Sequence, residues 1–241
     1  MVLKNGDAFI VQSELDEKDL LSFIDKPIYA KTVHPTYNAF KQSDLSKEKA
    51  REVLNLGKDD KIMLFFGFIR EYKGLKTLIG AMPAICSSLP DCRLLVVGDF
   101  QSEESKAEYA ALMEKSGCME SITLVDGYIP DNEVEKYFAA CDVAVLPYDS
   151  ATQSGIAQIA YGFEKPVIAT DVGGLGEVVL EGKTGFLVPP KDPEKLASAV
   201  VKFFTSANDV SFTENIRSEA DKYSWNKMVG TIEDLYFQMK R

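Results

Sequence analysis

The chain has 241 residues, 46% hydrophobic content and a formal net charge of −10, with a pI of about 4.8. That is enough apolar material for a sizeable core, at a length that suits one large domain or one domain plus a fragment. The acidic balance disfavours a nucleic-acid partner, which needs a basic footprint, and no apolar run approaches the roughly 20 residues of a membrane span.

Lys4, Asn5 and Asp7 interrupt any signal-peptide start. The four cysteines, Cys86, Cys92, Cys118 and Cys141, form no Cys-x-x-Cys pair. A zinc site and a disulfide framework are therefore disfavoured, and a reducing cytoplasm is the expected location. The single histidine, His34, excludes chemistry that needs two.

Ala8 to Val11 is a short apolar run. Ser13 then precedes an acidic helical segment and is a candidate N-cap. Pro27 to Val33 reads as a strand, and HPTYNAFKQSD, polar and punctuated, as a linker. Residues 1–45 thus hold a strand, a helix and a strand, too little for a domain alone. Ser46 opens a helix that Gly57 closes.

A regular alternation follows: strand Ile62–Ile69, helix Gly74–Ser88, strand Arg93–Val97, helix Glu103–Lys115, strand Ile122–Val125, then a helix capped by Asp131 and running to Cys141. The pattern continues with apolar run Val143–Pro147, helix Ile156–Phe163, apolar run Pro166–Ala169, strand Gly185–Val188 and helix Pro193–Thr205. Strands alternating with helices of this length predict an α/β fold with a doubly wound, parallel, Rossmann-like sheet over residues 46–222. From Tyr223 the tail has helical spacing, with Trp225 as a packing anchor.

Strand ends of such a sheet share one rim, where ligands bind. Four are distinctive. GFIREYKG places Arg70 and Lys73 beside Gly67, two cations suited to a diphosphate; the alternative is a solvated turn. Val97–Gly98–Asp99 is a turn. DGYIP sets Tyr128 and Ile129 where they either flank a nucleobase or pack the rim. The stretch before the helix at Ile156 is a run of small and polar residues ending in Ser154 and Gly155. Free amides of Ser154, Gly155 and Ile156 at a helix start form an anion cradle, and a glycine lets a phosphate approach the backbone. Asp149 and Glu177 are candidate polar contacts, Gly173 and Gly174 serve a tight turn, and His34 belongs to the linker.

The succession FFGFIREYKG, LLVVGD, LVDGYIP, DVAVLPY, SGIAQIAYGFEKPVIATDVGGLGEVV, GKTGFLVPP and YSWNKMV resembles the carboxyl half of glycosyltransferase family 4. That resemblance implies a GT-B fold whose second domain binds a nucleotide-sugar donor. It makes residues 1–45 a remnant of the acceptor domain and linker, and 223–241 a helix that crosses back to that domain. Lys73 matches the family lysine that contacts the donor diphosphate. The arginine that follows the first glycine is here Phe68, with Arg70 displaced by two. The family's two glutamates fall on Thr152 and Ala160, or on Ala151 and Ile159, and are absent on either count; Gln158 is the nearest polar substitute for the one that holds the ribose.

By resemblance, the reaction is hexosyl-type transfer with retention, with Lys73 and Arg70 stabilising the leaving diphosphate. No metal or other cofactor is implied: the chain has no Asp-x-Asp triplet. The acceptor half would come from a missing domain or a separate subunit. A nucleotide-sugar-binding module without turnover is the alternative, and a GT-B epimerase a third.

Overall fold

The computed structural model describes residues 6–206 and 211–240. The β–α–β segment comes first: β1 (Phe9–Val11), α1 (Glu14–Phe23) and β2 (Tyr29–Lys31). Its two parallel strands form a sheet of their own, with Phe9 opposite Tyr29. Ser13 caps α1 as expected, its hydroxyl accepting the Asp16 amide at 3.0 Å.

The main body is a six-stranded, all-parallel sheet in the order β5-β4-β3-β6-β7-β8. The strands are β3 (Lys61–Phe66), β4 (Cys92–Gly98), β5 (Ile122–Asp126), β6 (Val143–Leu146), β7 (Val167–Thr170) and β8 (Gly185–Val188). The helices are α2 (Lys47–Val53), α3 (Leu75–Ser88), α4 (Glu103–Lys115), α5 (Val134–Ala140), α6 (Gly155–Gly162), α7 (Leu175–Val178), α8 (Pro193–Ser206), α9 (Phe212–Ser218) and α10 (Trp225–Met239).

Side chains alternate across a strand, so each strand feeds two cores. Met63, Phe65, Leu94, Val96, Val143 and Ile168 pack on one side with α3 and α8. Ile62, Leu64, Leu95, Val97, Ala144 and Val167 pack on the other with α5 and α6. Both faces are covered, as a parallel sheet requires. The doubly wound architecture expected from the alternation is therefore present.

Several boundaries differ from expectation. The strand from Ile62 stops at Phe66 because Gly67 turns the chain at φ 98°; Ile69 makes a separate bridge to Phe100. Asp131 caps no helix: it lies in a 3-10 turn closed by the Glu133 amide on the Pro130 carbonyl, and α5 starts at Val134. Helices α7 and α9 had no counterpart in the sequence reading. Trp225 is 55% exposed and so is no buried anchor; its indole N–H donates to the Thr36 carbonyl at 3.1 Å.

The linker is pinned rather than free. Buried Glu135 accepts the Ser43 amide at 3.0 Å, the Ser43 hydroxyl at 2.8 Å and the Gln42 and Leu45 amides at 3.2 Å. Burial raises the Glu135 pKa, but the hydrogen bonds from Ser43, Leu45 and Gln42 outweigh it and leave the carboxyl below its usual value. The β–α–β segment is held as well. The Glu177 carboxylate accepts the Glu14 amide at 2.7 Å and lies 3.5 Å from the Lys31 ammonium, while the Gln153 side-chain amide donates to the Gln12 carbonyl at 2.6 Å.

Candidate functional site

The carboxyl ends of β3, β4, β5 and β6 share one rim because all strands run parallel. Two cavities open there. One, of about 530 Å³, is lined by Tyr72, Lys73, Tyr148 and the whole run Ser150 to Ile156. The other, of about 200 Å³, runs from Lys73 and Gly67 across Gly98 and Asp99 to Gly127, Tyr128 and Ile129. Lys73 and Ile156 line both.

Lys73 sits in a short 3-10 turn, Glu71–Lys73, between β3 and α3. It is only 8% exposed, and its ammonium has no carboxylate partner among the described residues. Its Nζ lies 5.8 Å from the centre of the Tyr148 ring. Burial, followed by the nearby Arg70 guanidinium, lowers its pKa to about 8. A buried, unpaired cation is costly unless an anion joins it, so its place beside two cavities makes it a candidate anion-binding group.

Arg70 is placed differently from Lys73. Its guanidinium lies over the Phe68 ring, 5.4 Å from the centroid, and one terminal nitrogen is buried without a hydrogen-bond partner. Arg70 lines neither cavity, although its charge is felt at Lys73. Phe68 lines the smaller cavity, and Arg70 stacks on it.

Ser154 is buried and caps α6 through its hydroxyl, which accepts the Ala157 amide at 3.3 Å. The amides of Gly155 and Ile156, in the first turn, have no intrahelical acceptor and are available at the cavity. The place a side chain at Gly155 would take adjoins the linker. A Cβ there would meet the Tyr37 ring at 3.5 Å, so this glycine faces the linker as well as the cavity. Tyr37 in turn shares a 3.2 Å hydrogen bond with His34 Nε2. Nothing in the polar linker sequence signalled that contact.

Tyr128, 69% exposed, and Ile129 both line the smaller cavity. Gln158 does not join them. It is fully buried, both amide atoms lack a partner, and it lines neither cavity. No Asp or Glu lines the larger cavity. Asp99, treated in sequence as part of a turn, does line the smaller one. Asp149 approaches Lys191 at 3.8 Å and stays off both walls.

A larger cavity, about 800 Å³, is lined by Arg51, Lys61, Asp142 and Lys165 from the amino-end side of the strands. Four of the cations that line it are engaged: Lys61 pairs with Asp91, Lys47 and Arg51 with Asp142, and Lys165 donates to the Ala139 and Cys141 carbonyls. Among the described residues there is no group of three or more His, Cys, Asp or Glu side chains placed to hold a metal, and no helix long and apolar enough to cross a membrane.

The family model described as glycosyl transferases group 1 matches residues 60–206, more than half of the chain. D-inositol 3-phosphate glycosyltransferase from Corynebacterium glutamicum is 26% identical over 243 aligned positions, which cover 98% of this chain and 58% of that protein. Among solved structures, sucrose-phosphate synthase from Thermosynechococcus elongatus superposes with a TM-score of 0.83 at 27% identity, covering 98% of this chain and 59% of the other. Anabaena HepE in complex with UDP superposes at 0.82 with 18% identity, covering 98% and 64%, and supports the fold alone. The chain thus spans about three-fifths of the length of the relatives it matches. With the parallel sheet, the rim cavities and the motif order in agreement, the chain belongs to the glycosyl transferases group 1 family and has the fold of the GT-B glycosyltransferases.

Proposed function

We propose that this chain is the donor-binding part of a glycosyltransferase that takes a hexosyl group from a nucleotide-sugar and transfers it with retention. The observation that carries the reading is the placement of Lys73: a buried, unpaired ammonium shared by two cavities, beside the free amides of Gly155 and Ile156. In this reading the diphosphate lies between Lys73 and the start of α6, the sugar occupies the larger cavity, and the nucleoside runs along the smaller one past Ile129 and Tyr128.

When the bond from the anomeric carbon to the diphosphate oxygen breaks, negative charge collects on the leaving group. Fixed amides and a desolvated ammonium stabilise that charge without reorganising. Arg70, stacked on Phe68, adds positive potential without touching the ligand. No metal is assigned a role. The acceptor groups are assigned to the part of the relatives' length that this chain does not span, or to a separate subunit that replaces it. The leading β–α–β segment and the exposed Val229, Ile232 and Phe237 of α10 would face that partner.

Family membership supports a transferase over a binding module without turnover. A thermal-shift screen of nucleoside diphosphates and nucleotide-sugars, beside a turnover assay with simple acceptors, tests the reading. Stabilisation by diphosphates with little or no transfer is the expected result. Absence of stabilisation by any diphosphate would overturn it.

A further inference from the structure

Three neighbouring strands of the sheet are each closed by a glycine, Gly98 as the last residue of β4 and Gly67 and Gly127 directly after β3 and β5, and all three hold positive φ: Gly67 at 98°, Gly98 at 154° and Gly127 at 120°. They are laced side by side. The Gly127 amide donates to the Gly98 carbonyl at 3.1 Å, and the Gly67 amide donates to the Val97 carbonyl at 2.9 Å. A Cβ on Gly98 would stand 2.0 Å from the Gly67 carbonyl oxygen, so no other residue fits there. The result is a shelf of bare backbone along the smaller cavity, walled by the exposed rings of Phe68 and Tyr128 and by Ile129 and Ile156. A flat ring system fits such a shelf.

The strand order sets the direction in which a nucleotide lies. Helix α6 follows β6, which borders β3; β4 and then β5 lie beyond. At about 4.8 Å per strand, the end of β4 is roughly 10 Å from the strand that feeds α6. A diphosphate held at α6 and Lys73 therefore puts the ribose over β3 and the base over β4 and β5. Asp99 lines the cavity at that end, and its carboxylate has no hydrogen-bond or ion-pair partner among the described residues. An ionised carboxylate only accepts hydrogen bonds.

We propose that Asp99 selects the base of the donor and that the base it selects is guanine. Guanine presents its N1–H and its 2-amino group on one edge, two parallel donors that match the two oxygens of a carboxylate. Uracil presents one N–H between two carbonyl oxygens, which a carboxylate repels. The proposal rests on reading the rim as a nucleotide-sugar donor site and adds the base to it.

Calorimetric titration of the chain and of Asp99→Asn with GDP, IDP, UDP and inorganic pyrophosphate tests it. IDP lacks the 2-amino group. Asp99 is partly exposed and unpaired, so the substitution leaves the fold intact, which the melting temperature checks. The expected result is GDP about tenfold or more tighter than UDP, with IDP between, as suits charge-assisted hydrogen bonds. Asp99→Asn then weakens GDP by a similar factor and leaves UDP and pyrophosphate nearly unchanged. UDP binding as tightly as GDP, or an equal loss for every ligand in Asp99→Asn, overturns the guanine assignment while pyrophosphate binding preserves the donor site. Failure of pyrophosphate and all the nucleotides to bind overturns both.

Discussion

The ammonium of Lys73 lies 3.1 Å from the point where a Cβ on Gly67 would stand. The ammonium is packed closely against the bare Cα of the glycine that follows β3, and a Cβ there would shift it by a few tenths of an ångström. Gly67→Ala would displace the ammonium and would also strain a backbone held at φ 98°. Diphosphate affinity is expected to fall by about tenfold, the size of one charge-assisted contact, as read by calorimetry. Unchanged affinity would remove Lys73 from the phosphate site.

Lys73 has a separable cost. Its pKa is lowered to about 8, so the unfolded chain binds more protons between about pH 8 and the ordinary lysine range. Stability of the unliganded protein should therefore rise with pH across that window. Lys73→Met is expected to raise the melting temperature at pH 7, by the equivalent of about 1–3 kcal/mol, and to abolish that rise. The same substitution should cost diphosphate affinity by about tenfold or more. Affinity of the unmodified chain should decline above pH 8 as the ammonium loses its proton. A lysine that serves only structure would show the opposite pairing, with Lys73→Met losing stability and keeping affinity.

Gly155 and Tyr37 make a third test. A Cβ on Gly155 would rest against the Tyr37 ring at an ordinary contact distance, 3.5 Å. Gly155→Ala should therefore bind nucleoside diphosphates within about threefold of the native chain, whereas the branched Gly155→Val must push the ring aside, a clash typically worth about 1–3 kcal/mol. If the ring is the obstacle, Tyr37→Ala should restore part of the affinity lost in Gly155→Val. Absence of that rescue would mean that the added methyls act on the phosphate directly.

Glu135 anchors the linker through amides of Gln42, Ser43 and Leu45. Its carboxyl titrates below the usual value, so its contribution is present above the unfolded pKa and is lost as pH falls through the folded one. Glu135→Gln should destabilise the chain by about 1–3 kcal/mol at pH 7 and converge with the native chain in acid. Urea unfolding at pH 7 and at pH 3–4 reads the difference. A pH-independent gap would assign the loss to packing.

Much of this was legible because apolar runs such as Ile62–Phe66 and Val143–Leu146 are bounded by glycine or proline and separated by helical spacing. Lys73, Ser154, Gly155 and Ile156 then fell on one rim by topology alone. Short helices escaped: Leu175–Val178 is one turn, too brief to show a period. Gln158 misled because its amide suggested a ligand contact, while the register of α6 turns that side chain into the interior. Arg70 misled by charge, since stacking on Phe68 does not follow from loop composition. Tyr37 touches a residue 118 positions away, and no local pattern encodes that contact.

The Thr36 amide donates to the Tyr223 carbonyl at 3.0 Å, and the Trp225 indole returns a bond to the Thr36 carbonyl, a span of 189 residues. The segment leaving β2 is thus buckled to the one entering α10. During synthesis, residues 9–31 emerge long before this last fastener exists, and a lone two-stranded sheet is marginal in water. The loop that this fastener closes spans 187 residues, and closing a long loop costs entropy that shorter-range contacts do not. The leading β–α–β segment is consequently secured in two stages, and a ribosome stalled short of Tyr223 would carry a formed six-stranded body whose leading segment is held only through Gln153 and Glu177.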